Sequence, residues 1–150
     1  MSTNRIYLDW NATAPLLPEA REAVLDGLDL CGNASSVHRE GRAVRTRIEA
    51  ARRQVAALAG ADPAHVTFLA GATEAANLVL TPDFRMGRSP VGLGALYVSG
   101  IEHPAVFEGG RFPADRRHEI PVLPTGVVDL DALDAMLAAH DKGLGLPMVA

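Results

Sequence analysis

Residues 66–78 read VTFLAGATEAANL, and the reading of this stretch decides the fold. Val66 to Leu69 is a short apolar run. Ala70, Gly71, Ala72 and Thr73 are all small, and a helix-like pattern begins at once after them. A short apolar run bounded by a turn predicts a strand, so HVTFLA is read as a strand and TEAANLVL as a helix. A strand that hands over directly to a helix is the first half of a βαβ unit.

The same alternation continues downstream. GALYVSG (94–100), HEIPVL (118–123) and LPMVA (146–150) read as further strands. PAVFEGG (104–110) reads as a short helix, and DLDALDAMLAAH (129–140) as a longer one with Asp129 near its start. Strands alternating with helices predict an α/β fold with a mostly parallel sheet. TPDFRMGRSPVGLG (81–94) is rich in Gly and Pro and is expected to be an exposed loop. Position 150 falls inside an apolar run with no polar tail, so the expectation is the front part of a longer protein.

Upstream the pattern is helical. Ile6–Leu8 is a short extended piece that runs into the turn-rich DWNATAPLLP. Pro18 suits the first turn of a helix, where its missing N–H costs nothing. Ala20, Ala23, Val24 and Leu28 then recur at helical spacing. CGNASSVH (31–38) breaks the pattern, and Ser35 or Ser36 is a candidate cap for the next helix. From Val37 to about Ala59 runs a basic amphipathic helix, with Val44, Ile48, Ala51, Val55 and Leu58 on one face and Gly60 as its stop. Its arginines, Arg42, Arg45, Arg47, Arg52 and Arg53, read as a solvated face. The expected division is residues 1–60 as an N-terminal arm with helices and 61–150 as an incomplete α/β domain.

Composition narrows the function. A chain of 150 residues is long enough to bury roughly 70% of its unfolded surface. Fourteen basic residues against eighteen acidic ones leave a net charge of −4, which argues against nucleic acid as the main partner. Cys31 is the single cysteine, so no internal disulfide forms and a reducing, cytoplasmic setting is expected. No apolar run approaches the ~20 residues of a membrane helix, so no membrane association is expected.

In open α/β sheets, ligands bind beyond the carboxyl ends of the strands. Three turns are expected there: AGATE (70–74), SGIEHP (99–104) and PTGVVD (124–129). AGATE has the parts of an anion cradle: small residues, free N–H groups at a helix start, and the Thr73 hydroxyl. The competing reading is a plain helix cap supplied by Thr73, with no ligand. His103 can stack on a planar ring or shuttle a proton, or be a partly buried surface histidine. Pro104 biases His103 toward extended backbone. His38 is functional or part of a helix start, His65 and His118 are expected to face solvent, and His140 lies near a helix end. No pair of histidines has metal-ligand spacing, and no metal is expected. Nothing around Cys31 supplies a general base, so it reads as a small buried or loop residue.

Five motifs occur in order: IYLDWNATAPLLPEA, GNASSVHREGR, VTFLAGATEAANL, IEHPAV and GVVDLDAL. Together they resemble the N-terminal part of a cysteine desulfurase of the class V aminotransferase family, across essentially the whole chain. That resemblance implies a fold-type I pyridoxal-phosphate enzyme with a large, mainly parallel α/β domain, a smaller domain and a homodimer. It implies removal of sulfur from L-cysteine, giving alanine and an enzyme persulfide that a sulfur-acceptor or scaffold protein takes toward iron–sulfur clusters or thio-cofactors. It also implies roles by position. Ala72 and Thr73 match residues that bind the cofactor phosphate. His103 matches the histidine that stacks on the pyridine ring and assists proton transfer. Asn11, Ala12 and Thr13 match a substrate-side loop, and the Asn33–His38 motif lies near the site and the dimer interface.

Two departures stand out. Trp10 replaces a small polar residue, which would reshape the substrate mouth, and Ala34 replaces a proline, which would loosen a turn. The family lysine that holds the cofactor covalently is expected beyond residue 150. Lys142 does not match it, and Cys31 does not match the sulfur-accepting loop cysteine. The resemblance therefore implies an inactive 150-residue piece of a transferase. Selenocysteine lyase or another class V enzyme is the alternative chemistry, and a non-catalytic binding module the alternative of another class.

Overall fold

The structure, a computed structural model, describes residues 6–150; residues 1–5 of the expected N-terminal arm lie outside it. The chain forms two compact units, one running to Thr67 and one spanning Phe68–Ala150.

The first unit is helical. Helix α1 (Pro18–Leu28) begins on Pro18, as expected, with Glu19 in its first turn. Helix α2 (Arg39–Ala59) starts from His38 rather than from a serine: the His38 ring accepts the Gly41 N–H at 3.3 Å. It stops at Gly60, whose φ of 64° is the left-handed conformation that ends helices. The loop before α2 is closed by the Ser36 N–H on the Asn33 carbonyl and the Ser35 N–H on Asn33 Oδ1, both at 2.9 Å. Arg45 Nε adds a bond to the Ala34 carbonyl at 2.8 Å. The predicted apolar stripe of α2 is only half covered. Val44, Ile48 and Ala51 are partly buried, whereas Val55 and Leu58 stand 43% and 91% exposed. Helix α1 buries none of its residues.

The expected strand at 65–70 is a correction. Pro63–His65 is a 3-10 turn capped by Asp62, and the chain leaves it at Val66 in extended geometry (φ −95°, ψ 124°). Among the described residues, no strand pairs with 66–69. Extended backbone becomes a strand only when a neighbour takes up its N–H and C=O groups. The Arg52 guanidinium takes the Val66 carbonyl instead.

The second unit is a layered α/β structure. Helix α3 (Ala72–Val79) precedes β1 (Asp83–Met86) and β2 (Ser89–Ser99). These two strands form an antiparallel hairpin with Met86 opposite Ser89, which corrects the expected loop over 81–94. Gly87 has φ 63°, and a two-residue hairpin turn needs just such a positive φ. Pro90 sits opposite Arg85 on this outer part of the sheet, where a missing N–H is tolerated.

The inner half of β2 is the centre of the sheet. Strand β3 (Arg117–Ile120) pairs with it in parallel on one side, Leu96 opposite Arg117 and Ser99 opposite Ile120. Strand β4 (Leu146–Val149) pairs in parallel on the other, Leu96 opposite Met148. Being covered on both faces, β2 is buried without a break from Gly94 to Ser99, as central parallel strands are. Its side chains alternate. Leu96 and Val98 pack with Ala76, Leu80 and Phe112, joined by Ala105, Val106 and Phe107. Ala95 and Tyr97 pack with Ile120 and with Leu133, Met136 and Leu137. Helix α3 and the short α4 (Pro104–Phe107) thus cover one face, and α5 (Leu130–Ala138) covers the other. The β2–β3 and β3–β4 crossovers travel in opposite directions across the sheet. A constant right-handed crossover then places their helices on opposite faces, as observed.

Candidate functional site

The order β3–β2–β4, with the connections leaving β2 and β3 for opposite faces, makes a topological switch point. The crevice lies beyond the carboxyl ends of these two strands, where open α/β sheets bind ligands. Two of the three predicted turns border it. The first follows β2: Ser99 is buried, its carbonyl accepts the Glu102 N–H at 3.2 Å, and its Oγ accepts the Ile101 N–H at 3.4 Å. The second follows β3. The Leu123 N–H donates to the Val127 carbonyl at 2.8 Å, Val122 bridges to Val128, and Asp129 Oδ1 caps α5 by accepting the Ala132 N–H at 2.9 Å. Glu119 reaches across from β3, and a Cβ on Gly100 would collide with its Oε1.

His103 stands at the end of the β2 turn with extended backbone (φ −60°, ψ 144°), as Pro104 demands. Its Nδ1 accepts the Ala105 N–H at 3.1 Å and so caps α4. With Nδ1 engaged as an acceptor, the neutral ring carries its proton on Nε2, and the residue is exposed. Both readings of His103 are compatible with this geometry: one nitrogen serves the fold, and the other is open to a ligand.

The third turn, AGATE, does not follow a strand of the sheet, because, among the described residues, 66–69 form no strand ladder. It still opens a helix. Gly71 is the N-cap and supplies no side-chain bond, so Thr73 is not the cap but the second residue of α3. The Ala75 N–H reaches the Gly71 carbonyl at 3.1 Å. Among the described residues, the N–H groups of Ala72, Thr73 and Glu74 meet no hydrogen-bond acceptor. The end of α3 is pinned near the start of β2. The Leu80 carbonyl accepts the Arg111 N–H at 2.8 Å, and the Pro82 carbonyl accepts the Leu93 N–H at 3.1 Å. With α3 packed beside α4 on one face, its N-terminal end is directed toward the end of β2 that delivers His103. Three vacant donors, the hydroxyl of Thr73 and the positive end of a helix dipole form a donor set that suits a phosphate dianion. Sequence reasoning passed over Glu74. Its Oε2 accepts the Ala70 N–H at 2.7 Å, and a Glu in the third position of a helix is the signal for such a contact.

The remaining candidates belong to other elements. Asn11, Ala12 and Thr13 belong to the first unit. There the Thr13 N–H bonds the Asp9 carbonyl at 3.4 Å, and the Tyr7 hydroxyl donates to that carbonyl at 2.7 Å. Trp10 Nε1 donates to the Tyr7 carbonyl at 3.2 Å, with the indole 62% exposed. Cys31 is exposed in a loop. His65 closes the 3-10 turn and is exposed. His118 is also exposed, its ring 5.2 Å from that of Tyr97. His140 is engaged on both nitrogens, with the Tyr97 hydroxyl at 3.0 Å and the Gly145 carbonyl at 2.9 Å. Among the described residues no three His, Cys, Asp or Glu side chains gather as metal ligands, and no helix is long and apolar enough to cross a membrane.

Comparison with known proteins identifies the family and the fold. The sequence profile of the aminotransferase class-V family matches residues 6–144. A cysteine desulfurase of Frankia sp. (strain EuIK1) is 38% identical over 91% of this chain and 38% of its own length. An IscS-like cysteine desulfurase of Mycobacterium tuberculosis is 36% identical over 90% of this chain and 36% of its own. The crystal structure of a NifS-like protein from Rickettsia africae superposes with a TM-score of 0.78 at 30% identity, over 96% of this chain and 38% of that one. The chain thus spans a little over a third of the length of these relatives.

Proposed function

We propose that this chain, which belongs to the aminotransferase class-V family, is the N-terminal part of a pyridoxal-phosphate-dependent cysteine desulfurase. The reaction is removal of sulfur from L-cysteine, giving alanine and an enzyme persulfide. The observation that carries the reading is the vacant donor set at the start of α3, on the same face of the sheet as the turn that presents His103. The similarity to cysteine desulfurases supports the substrate. A homodimer, a sulfur-accepting partner protein and a cytoplasmic setting belong to the same reading.

Pyridoxal phosphate, when bound, supplies an electron sink that weakens the bonds around the substrate α-carbon. The protein's share is to hold and orient it. The N–H groups of Ala72, Thr73 and Glu74 and the Thr73 hydroxyl take the phosphate oxygens, each a charge-assisted bond. His103, anchored through Nδ1, offers its ring face for stacking and holds a proton at Nε2. Asn11, Ala12 and Thr13 are assigned to the substrate side on the resemblance of their motif to the family alone.

The test is made on the longest in-frame protein that carries residues 1–150. It should release alanine and sulfide in equal amounts from L-cysteine in the presence of a thiol reductant. Activity with selenocysteine alone would assign the neighbouring lyase chemistry, and no turnover of either amino acid would reject the enzyme.

A further inference from the structure

We infer that the Glu74 side chain is a positioning group that holds the phosphate donors of α3 in place without its carboxylate touching the phosphate. The inference rests on the phosphate reading above and deepens it. In a complete capping box, the cap side chain bonds the third helical N–H, and the third residue's carboxylate reaches back to the cap N–H. Here the first half is missing. Gly71 has no side chain to offer, and the helix N–H groups stay vacant. The second half is present but reaches one residue further, from Glu74 Oε2 to the Ala70 N–H at 2.7 Å.

This bond closes the Ala70–Glu74 turn from behind. Around Gly71 it has no steric help, since nothing lies within 4 Å of where a Cβ would be. A glycine whose Cβ direction is open is a weakly restrained point of a chain. One side chain therefore sets the direction of the donors beyond it. Asn77 adds a second tie, its Nδ2 donating to the Thr73 carbonyl at 2.9 Å. The carboxylate of Glu74 is engaged by the Ala70 N–H, and that bond orders the turn.

The experiment compares pyridoxal phosphate with pyridoxal, which lacks the phosphate, by absorbance titration of the protein that carries this chain. The ratio of the two affinities reads the phosphate contacts alone. The variants are Glu74→Ala, Glu74→Gln and Glu74→Asp, with amide hydrogen exchange at Ala70 and Ala72–Glu74 as a second readout in the ligand-free protein. Glu74→Gln keeps an acceptor of the same reach and should hold the ratio within about twofold. Glu74→Ala, and Glu74→Asp with its shorter arm, should lower it about tenfold and speed exchange at Ala70. An unchanged ratio in Glu74→Ala overturns the inference. So does a ratio that rises in both Glu74→Ala and Glu74→Gln, which would mean that the carboxylate repels the phosphate. Loss of the ratio in Glu74→Gln equal to that in Glu74→Ala also overturns it, since charge rather than a placed acceptor would then matter. A wild-type protein that binds both ligands equally would reject the phosphate reading itself, and this inference with it.

Discussion

Replacing Gly71 with aspartate should move stability and phosphate binding in opposite directions. Gly71 caps α3 with extended backbone (φ 175°) and open space around it, so a side chain enters without collision. An aspartate there can accept the Thr73 or Glu74 N–H, as N-cap residues do. Asp exceeds Gly at this position by a few tenths of a kcal/mol. Its charge at the helix start adds about 0.3–1 kcal/mol, and the stiffer unfolded chain adds about 0.4–1 kcal/mol. The Glu74 carboxylate close by, held on the Ala70 N–H, subtracts from this through like-charge repulsion. A net gain of about 0.5–1.5 kcal/mol is expected, a rise of several degrees in Tm. For a phosphate ligand the same aspartate fills the donors and sets a negative charge against a dianion. Two unit charges 4 Å apart repel by about 4 kcal/mol at an effective dielectric of 20, and solvent at this exposed turn lowers that figure. Binding of pyridoxal phosphate should weaken at least about tenfold, or 1.4 kcal/mol. Gly71→Ala, which adds no acceptor, should change either quantity by no more than a few tenths of a kcal/mol. The assay pairs thermal unfolding without ligand with absorbance titration of the cofactor. A Gly71→Asp protein that is less stable would refute the claim that the α3 donors are vacant. One that is more stable yet binds the cofactor as before would refute their use by phosphate.

Thr73→Ala should weaken pyridoxal-phosphate retention by about 1–2 kcal/mol through loss of one charge-assisted hydrogen bond, while Thr73→Ser retains it; cofactor absorbance after dialysis reads both. His103→Ala should reduce cysteine turnover in the full protein, and unchanged sulfide release would remove His103 from the site. Leu96, fully buried at the centre of β2, should cost about 2–5 kcal/mol when cut to alanine, measured by urea unfolding of the second unit's signal.

The parts of this fold that were legible in the sequence are those where local pattern and tertiary role agree. Residues 94–99 are apolar with little interruption because they are buried on both faces of a central strand. Asp129 announces α5, and Pro104 announces both α4 and the extended backbone of His103. The misreadings have one cause, that pairing is a property of neighbours. Val66–Leu69 has strand composition but no strand beside it, whereas Asp83–Met86 has loop composition and pairs because a two-residue turn at Gly87 folds it onto β2. In the candidate site, His103 was visible as a residue type at a strand–helix junction and Thr73 as one at a helix start. The role of Glu74 was not, because a contact between a third helical residue and the residue before the cap shows only when the cap itself is seen to be empty.

That emptiness bears on the two readings of AGATE. A turn that merely begins a helix has every reason to satisfy its N–H groups locally, since each vacant donor forgoes a hydrogen bond. Three of the other α-helices take a side-chain cap: α2 from His38, α4 from His103 and α5 from Asp129, whereas α1 has none and only drops one donor at Pro18. Helix α3 has neither device, yet it commits a carboxylate to ordering the turn in front of it. Stability alone would favour Ser or Asp at position 71 over Gly. A helix start that is ordered but left uncapped sacrifices stability for access, and local rules broken in this way are expected where a protein binds something. On the function proposed above, the ligand that such a start would serve is a phosphate monoester, whose charge would complete the cap.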